Sequence, residues 1–240
     1  MNAIYNHIVD SIKRHKKLLA VLIDPDKITI QKVFSFIEKV NASMATHIFV
    51  GGSTVKSNVT STLVNKIKSS TNLPIVLFPG SISQITTSAD ALLFLSLISG
   101  RNADYLIGKQ IEAVSKLREI NLEIIPTGYV LIESGKKTAV QEVTKTSPMP
   151  RHDINAIVDT AVAGEFLGMR MIYLEAGSGA LNPINANIIS NVKKALKIPL
   201  IVGGGIKNKS QIQVAYDAGA DLVVVGNALE HSNFFLNDAK

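Results

Sequence analysis

The chain has 240 residues, of which 46% are hydrophobic and 18% are charged. This composition excludes a disordered chain and provides a core for one large α/β barrel or two small domains. The absence of cysteine excludes disulfides, iron–sulfur clusters, thiolate metal sites and thiol nucleophiles. The 25 Lys and Arg against 19 Asp and Glu give a formal net charge of +6. No arginine-rich arm carries it, so we expect no nucleic-acid partner and allow attraction to an anionic small molecule or lipid headgroup.

Nothing in the chain predicts a signal peptide or a membrane span. Residues 1–17 are polar and amphipathic, unlike a signal peptide. The longest apolar run, residues 91–99, is far shorter than the roughly 20 residues needed to span a bilayer. We therefore expect a cytoplasmic protein.

Eight apolar runs predict buried parallel strands, because each run is continuous rather than alternating. Helical spacing follows most of them, and no linker rich in Pro, Gly or Ser divides the chain. This pattern predicts a single (β/α)8 TIM-like barrel domain over residues 1–240, with a doubly wound open sheet as the competing arrangement. The crossover at residues 80–90 lacks a convincing helix, so we expect an irregular third crossover. The predicted strands are residues 18–24, 47–51, 75–79, 91–98, 122–129, 171–175, 200–203 and 222–226. The predicted helices are residues 30–40, 55–67, 105–117, 154–167, 185–196 and 210–218.

One long segment, residues 134–153, follows the fifth predicted strand and has no periodicity. In a barrel it would lie on the catalytic face, where strands end and βα loops begin. A segment of this length inside a compact domain is usually functional, so we interpret it as a loop or lid over the site.

Glycines close the last two predicted strands. Gly203, Gly204 and Gly205 end the seventh strand, and Gly226 and Asn227 end the eighth. Glycines let backbone N–H groups approach a ligand closely, and barrels frequently bind phosphate at this place. A tight turn is the alternative for the triplet, but a turn seldom requires three glycines.

The sixth predicted strand runs into a further glycine pair. Glu175 lies at its end, where a carboxylate can accept a hydroxyl proton or bind a polyol, and a salt bridge to a lysine is the alternative. Tyr173 can donate a hydrogen bond to a ligand or pack in the barrel. The complete segment consists of Tyr173, Leu174, Glu175, Ala176, Gly177, Ser178 and Gly179.

Asp24 and Asp26 flank a proline in the turn after the first strand. Each could stabilise the turn or cap a helix. Asp24 could instead bind Mg²⁺, which uses one or two carboxylates together with waters and substrate phosphates. Ser53, at the end of the second strand, could complete that site or cap the following helix.

These segments, in this order, resemble the geranylgeranylglyceryl phosphate synthase family of barrel prenyltransferases. The segment at residues 173–179 is the most specific, and the resemblance extends over nearly the whole chain. It is closest to the longer bacterial and archaeal branch. The matching motifs are DPDK at 24–27, VGGS at 50–53, FPG at 78–80, PTGY at 126–129, YLEAGSG at 173–179, VGGGI at 202–206 and VGNA at 225–228.

The resemblance implies Mg²⁺-dependent transfer of a prenyl group from its diphosphate to sn-glycerol 1-phosphate, giving an ether-lipid precursor. By this resemblance Asp24 and Ser53 are the metal ligands, and residues 173–179 with Gly204, Gly205, Gly226 and Asn227 bind glycerol phosphate. Glu175 would accept the proton of the glycerol hydroxyl, with Tyr173 beside it. A homo-oligomer and a peripheral membrane contact are further expectations.

An apolar groove for the prenyl chain would lie near strands three to five, where Phe78, Phe94, Leu97 and Tyr129 are candidate lining residues. Geranylgeranyl is the expected donor chain, and a longer heptaprenyl donor is the close alternative. A phosphosugar isomerase or lyase, or a non-catalytic phosphate-binding protein, would use the same glycines. The isomerase would need an acid and base at strands one and five, yet strand five ends in Thr127, Gly128 and Tyr129.

Overall fold

A computed structural model describes residues 3–53, 55 and 59–226 of the chain. Eight parallel strands pair in chain order and close when the first pairs with the eighth, so the predicted (β/α)8 barrel is confirmed. The strands are β1 (Leu18–Ile23), β2 (His47–Val50), β3 (Ile75–Leu77), β4 (Ala91–Ser96), β5 (Glu123–Leu131), β6 (Met171–Glu175), β7 (Leu200–Gly203) and β8 (Leu222–Val225).

Eight helices accompany the strands within the described residues. Side chains of Asp153, Asn185 and Asn208 accept hydrogen bonds from the first turns of three of them, which fixes where those helices begin. The helices are α1 (Ala3–Lys13), α2 (Ile30–Asn41), α3 (Val59–Lys68), α4 (Lys109–Arg118), α5 (Ala139–Thr144), α6 (Ile154–Phe166), α7 (Ala186–Ala195) and α8 (Lys209–Asp217).

The strands bury side chains on both faces, which is why their sequences are continuously apolar. Alternate residues point into the barrel, where Phe49, Leu93 and Ile201 belong to one cluster. The intervening residues point outward and pack under the helices, as Leu174 and Val202 do. Burying each such side chain contributes roughly 1.5–3 kcal/mol before the entropy of ordering is subtracted.

Helix α1 closes the N-terminal end of the barrel. Its Ile8 packs inside the barrel cluster with Leu18 and Ala20 of β1. The carboxylate of Glu123, at the start of β5, accepts hydrogen bonds from the N–H groups of Ile4 and Tyr5 at 2.7 and 2.9 Å. These N–H groups belong to the first turn of α1 and have no partner inside the helix. The barrel interior is therefore plugged opposite the ends of the strands that carry the candidate site.

The predicted irregular third crossover is confirmed: between β3 and β4 the chain forms only a 3-10 turn, Ile82–Gln84. The helix predicted at 105–117 is divided into a π-helical turn, Asp104–Gly108, and α4. No helix among the described residues is long and apolar enough to cross a membrane.

The segment at residues 134–153 is not wholly irregular, because it contains α5. The N–H of Met149 donates to the carbonyl oxygen of Leu131, and the N–H of Glu133 donates to the carbonyl oxygen of Met149, both at 2.9 Å. These two hydrogen bonds hold the far end of the segment against the end of β5. The Tyr105 hydroxyl donates to the carbonyl oxygen of Val143 at 3.1 Å. The segment thus lies over the carboxyl ends of the strands as an ordered roof.

Candidate active site

The carboxyl ends of the strands surround a polar cavity at the open end of the barrel. Asp24 lies on one side of it, and Glu175, Gly204 and Gly205 lie on the other. Val140 of α5 contributes to the roof. The cavity therefore brings together candidate site residues that the sequence predicted at the ends of β1, β6 and β7.

Glu175 is the buried acid of this cavity, with 5% of its surface exposed. Its Oε1 accepts a hydrogen bond from the N–H of Gly177 at 2.5 Å. Burial raises the pKa of Glu175 to about 7, although the Gly177 N–H and the neighbouring Tyr173 hydroxyl both favour the charged form. A carboxyl group with this pKa can accept or release a proton near neutral pH.

Tyr173 points into the barrel two residues before Glu175 and is fully buried. Burial raises the pKa of its hydroxyl well above the usual range, so it stays protonated. Within the described residues this hydroxyl has no hydrogen-bond partner of good geometry. Since it lies beside Glu175 without a well-aligned hydrogen bond, this buried donor is suited to a polar group bound in the cavity.

The glycines after β7 make room for these two side chains. A Cβ on Gly203 would overlap the Tyr173 hydroxyl, and a Cβ on Gly204 would overlap Oε1 of Glu175. Gly204 also has a φ of 86°, a conformation that side chains disfavour. The glycine triplet therefore leaves space for the side chains of Tyr173 and Glu175 as well as for any ligand. The sequence did not reveal this packing role.

Asp24 occupies the opposite side of the cavity in the turn after β1. Its Oδ1 accepts the N–H of Asp26 at 3.1 Å, and its Oδ2 lies 3.2 Å from Nζ of Lys27. Asp24 thus stabilises its turn, and its carboxylate also faces the cavity. The carboxylate lies against Gly52, where an added Cβ would meet its oxygens at 2.9 to 3.1 Å.

Ser53 lines the same cavity as Asp24. Because α3 is described only from Val59 onward, the alternative role of Ser53 as a helix cap stays a prediction. The described residues contain no cluster of three or more His, Asp or Glu side chains. A cation at Asp24 and Ser53 would therefore take further oxygen ligands from substrate or water.

An apolar groove runs outward from the polar cavity between the third crossover and α4. Phe94 and Leu97 of the β4 region line it, together with Ile82 and Ile85 of the crossover and Ala113 of α4. The groove predicted near strands three to five is therefore present.

Two aromatic residues stand where the groove meets the polar cavity. Phe78 and Tyr129 line both spaces, as does Ser53. The ring centroids of Phe78 and Tyr129 lie 6.0 Å apart, and both lie within 5.4 Å of the Tyr173 ring. An apolar chain and a polar ligand could therefore meet beside this aromatic cluster.

The other predicted site residues fall into three groups. Ser178, Gly179, Gly204, Gly205 and Gly226 line the polar cavity. Leu174 and Ala176 do not, because their side chains point outward into the layer beneath the helices. The Ala176 N–H is also used by the carbonyl oxygen of Gly203. Asn227 lies outside the described residues.

Comparison with known proteins assigns this barrel to a family. A model of the PcrB family matches residues 10–239. The chain belongs to the PcrB family. Geranylgeranylglyceryl phosphate synthase of Flavobacterium johnsoniae is 50% identical over 99% of this chain and 98% of its own length. The synthase of the same name from Thermococcus gammatolerans is 40% identical over 93% of this chain and 88% of its own length.

Solved structures agree with the PcrB family assignment. The synthase of Thermoplasma acidophilum, in complex with its substrate sn-glycerol-1-phosphate, superposes with a TM-score of 0.90. It is 32% identical, and the match spans 96% of this chain and 92% of that one. The enzyme family that the sequence motifs indicated is therefore confirmed.

Sequence reasoning missed two residues of this PcrB family chain, one that lines the polar cavity and one that holds a loop of its wall. Lys207 follows the glycine triplet and lines the polar cavity, where a cation can face an anionic ligand. Its position shortly after Gly205 was an available signal. Gln84 is the second, and it offered no such signal because its partners lie 32 residues away along the chain.

Proposed function

We propose that this chain is a prenyltransferase that joins a prenyl diphosphate to sn-glycerol 1-phosphate. The continuity of the polar cavity with the apolar groove at Ser53, Phe78 and Tyr129 carries this proposal. The relatives' names and the substrate in the Thermoplasma acidophilum structure support the acceptor and the reaction. A phosphosugar isomerase acts on a polar substrate, so it would not require the apolar groove.

Glycerol phosphate fits the polar half of the space. The Tyr173 hydroxyl and the Glu175 carboxyl can bind the glycerol hydroxyl groups. The backbone at Gly204 and Gly205 can approach the phosphate closely, and Lys207 adds a positive charge on the same side. These contacts would hold the reacting hydroxyl at the mouth of the groove.

Asp24 and Ser53 fit a magnesium ion by their chemistry. One carboxylate and one hydroxyl are a small oxygen set, and Mg²⁺ commonly completes such a set with waters and substrate phosphates. When bound, Mg²⁺ would neutralise the charge that grows on the departing diphosphate. Lys27, which is paired with Asp24, lies where it can also contact the diphosphate.

The reaction replaces one carbon–oxygen bond by another. The glycerol hydroxyl oxygen attacks the allylic carbon of the donor, the bond from that carbon to the diphosphate breaks, and the diphosphate leaves with the electron pair. Glu175 accepts the hydroxyl proton, for which a pKa of about 7 is suitable. The glycine turns and the groove would have to bring the two reacting atoms to about 3–3.5 Å, the separation that a near-attack arrangement requires.

Geranylgeranyl diphosphate is the donor we propose. Each buried CH₂ group of the tail contributes roughly 0.8 kcal/mol, so a twenty-carbon tail gains much of its affinity from the groove. A longer heptaprenyl donor is the alternative within the same reaction.

The deciding experiment is an incubation with radiolabelled sn-glycerol 1-phosphate, Mg²⁺ and prenyl diphosphates of ten to thirty-five carbons. We expect a labelled product that extracts into organic solvent, formed fastest with the twenty-carbon donor. Labelled sn-glycerol 3-phosphate is the control for the acceptor. Absence of product with every donor would contradict the proposed reaction, and a fastest rate with the thirty-five-carbon donor would correct the chain length.

The predictions about partners and location stay predictions. Phe166 and Leu167, at the end of α6, are 85% and 76% exposed and would be covered in a homo-oligomer. Ile107 and Ile111 are exposed beside the groove and could touch a lipid surface. Light scattering tests the first prediction, and flotation with anionic vesicles tests the second. Cytoplasmic location remains an expectation from the sequence.

A further inference from the structure

The 3-10 turn of the third crossover carries a buried amide side chain that bonds to the backbone of a distant loop. Gln84 is 1% exposed. Its Oε1 accepts the N–H of Gly52 at 3.1 Å, and its Nε2 donates to the carbonyl oxygen of Gly52 at 2.8 Å. One side chain therefore occupies both backbone hydrogen-bonding groups of Gly52, as a neighbouring strand would.

The loop fixed in this way carries Ser53 and lies against Asp24, the two residues of the proposed cation site. Gly52 precedes Ser53 directly, and the Cα of Gly52 lies against the Asp24 carboxylate. A Cβ on Gly80 would overlap the carbonyl oxygen of Gly52, so the loops after β2 and β3 are in backbone contact. A shift of Gly52 would change the position of Ser53 and the surface on which Asp24 rests.

The same turn also forms part of the groove. Ile82 and Ile85, on either side of Gln84, line the apolar groove, whereas Gln84 faces the loop of Gly52. A regular helix would place successive side chains around a cylinder, and the short turn instead directs its side chains to two sites. The third crossover therefore contacts both the space for the donor tail and the loop beside the donor's diphosphate.

We propose that Gln84 is a positioning residue that sets the geometry of Ser53 and Asp24 toward the diphosphate of the donor. The proposal rests on the proposed function for the identity of the ligand, but the positioning itself is a property of the free protein. Gln84 does not line the polar cavity, and it acts through Gly52. Partners that orient a metal's ligands commonly change metal affinity or activity by roughly 10- to 100-fold when they are removed.

The first test needs neither metal nor substrate. The Gly52 amide hydrogen bonds to Gln84, so its exchange with solvent reports on that bond directly. In Gln84→Leu we expect exchange at Gly52 to rise about tenfold, because one hydrogen bond is lost. Gln84→Glu keeps the acceptor for the Gly52 N–H and loses the donor to its carbonyl oxygen, so intermediate protection is expected. Hydrogen exchange of the metal-free protein, read in peptides that span residues 50–53, measures both.

The matched control is Thr86→Val in the same crossover. Thr86 is also buried and bonds to Ser61 at 3.2 Å, away from the loop of Gly52. Thr86 also accepts the N–H of Ser88 at 3.4 Å, so its replacement removes two hydrogen bonds from the same segment, as Gln84→Leu does. We expect a comparable fall in melting temperature with no change in exchange at residues 50–53.

The second test separates positioning from general destabilisation. Gln84→Leu is expected to raise the Mg²⁺ concentration for half-maximal turnover roughly 10- to 100-fold, with partial recovery in Gln84→Glu. Affinity for sn-glycerol 1-phosphate, measured by calorimetry, should stay unchanged because Glu175 and Gly204 lie across the cavity. Thr86→Val should keep the wild-type magnesium dependence.

The possible failures are distinguishable. Unchanged exchange at Gly52 in folded Gln84→Leu would overturn the positioning role whatever the reaction is. Equal losses of glycerol phosphate affinity and magnesium response would show a general structural role and would also overturn it. If the wild-type protein forms no product with any donor, the proposed function fails, while the exchange measurement still decides the role of Gln84 toward the loop.

Discussion

Two acids face each other across the polar cavity, and their surroundings give them different chemistry. Glu175 is buried beside Tyr173 and has its pKa raised to about 7. Asp24 remains partly exposed and is paired with Lys27. Glu175 is thereby suited to moving a proton, and Asp24 lies in more open surroundings where it can hold a cation.

Replacement of Glu175 by Gln is expected to reduce turnover and to remove a pH dependence. In the wild-type protein kcat/KM should rise with pH through about 7, as Glu175 loses its proton and becomes a base. The variant should be slower by roughly 10²- to 10⁴-fold and lack this rise. Ionisation of the substrate phosphate is common to both proteins, so the difference between their profiles isolates Glu175. Superimposable profiles would remove the proton-accepting role.

Asp24→Ala is expected to lower the rate of Mg²⁺-dependent turnover by about 100-fold or more, because the only carboxylate proposed for the cation is lost. Glycerol phosphate affinity by calorimetry should be unchanged. Asp26→Ala is the control, since its exposed carboxylate belongs to the same turn. Wild-type activity in Asp24→Ala would contradict the metal assignment.

The sequence predicted the roles of residues that lie at the ends of strands. It did not predict roles that depend on contacts between residues far apart in the chain. The alternation of side chains along a strand could have excluded Leu174, because it places Tyr173 and Glu175 on the opposite face. No local pattern announces that Gln84 bonds to Gly52 or that Gly203 makes room for Tyr173. These contacts form only when the barrel closes.

At the scale of elements, strands were easier to predict than the pieces between them. Continuous apolar runs specify buried parallel strands, and all eight were found. The segment at 134–153 was interpreted as irregular, yet it contains α5, which is too short to show a clear period. Helix α1 was seen only as an amphipathic segment, because the plugging of a barrel end depends on Glu123, far along the chain.

Because α1 closes the end of the barrel opposite the candidate site, a substitution in it should lower the stability of the fold without touching the site. Ile8→Ala should lower the free energy of unfolding by about 3 kcal/mol, because a fully buried side chain is truncated inside the barrel cluster. Ile111→Ala, at a helix position that is 65% exposed, should cost much less. Urea unfolding of both variants measures the difference. Equal effects would mean that α1 does not close the barrel as described.

At the scale of the whole molecule, two buried groups at opposite ends of the barrel oppose each other in their response to pH. Burial and the nearby His7 lower the pKa of His47, at the start of β2, to about 4. The lowered pKa of His47 destabilises the folded state as pH falls from 6.5 to 4. Burial of Glu175 destabilises it as pH rises from 4.5 to 7. Each effect amounts to roughly 3 kcal/mol, so the two largely cancel between pH 4.5 and 6.5.

Removing either group should expose the effect of the other. Glu175→Gln should become more stable as pH rises from 4 to 6.5, because His47 alone then responds. His47→Gln should become less stable as pH rises from 4.5 to 7. Urea midpoints measured across this range for both variants and the wild type provide the test. Parallel pH profiles in all three proteins would contradict the opposing titrations.

The shared wall of groove and cavity at Phe78 and Tyr129 has a consequence for product release. A product that joins tail and headgroup occupies both spaces at once, so it is held by both sets of contacts with a single loss of translational freedom. Since α1 blocks the far end, the product leaves only at the open face, and its tail must be accepted by something other than water. We expect a burst of one turnover per site in buffer alone, and sustained turnover once detergent micelles or vesicles extract the lipid.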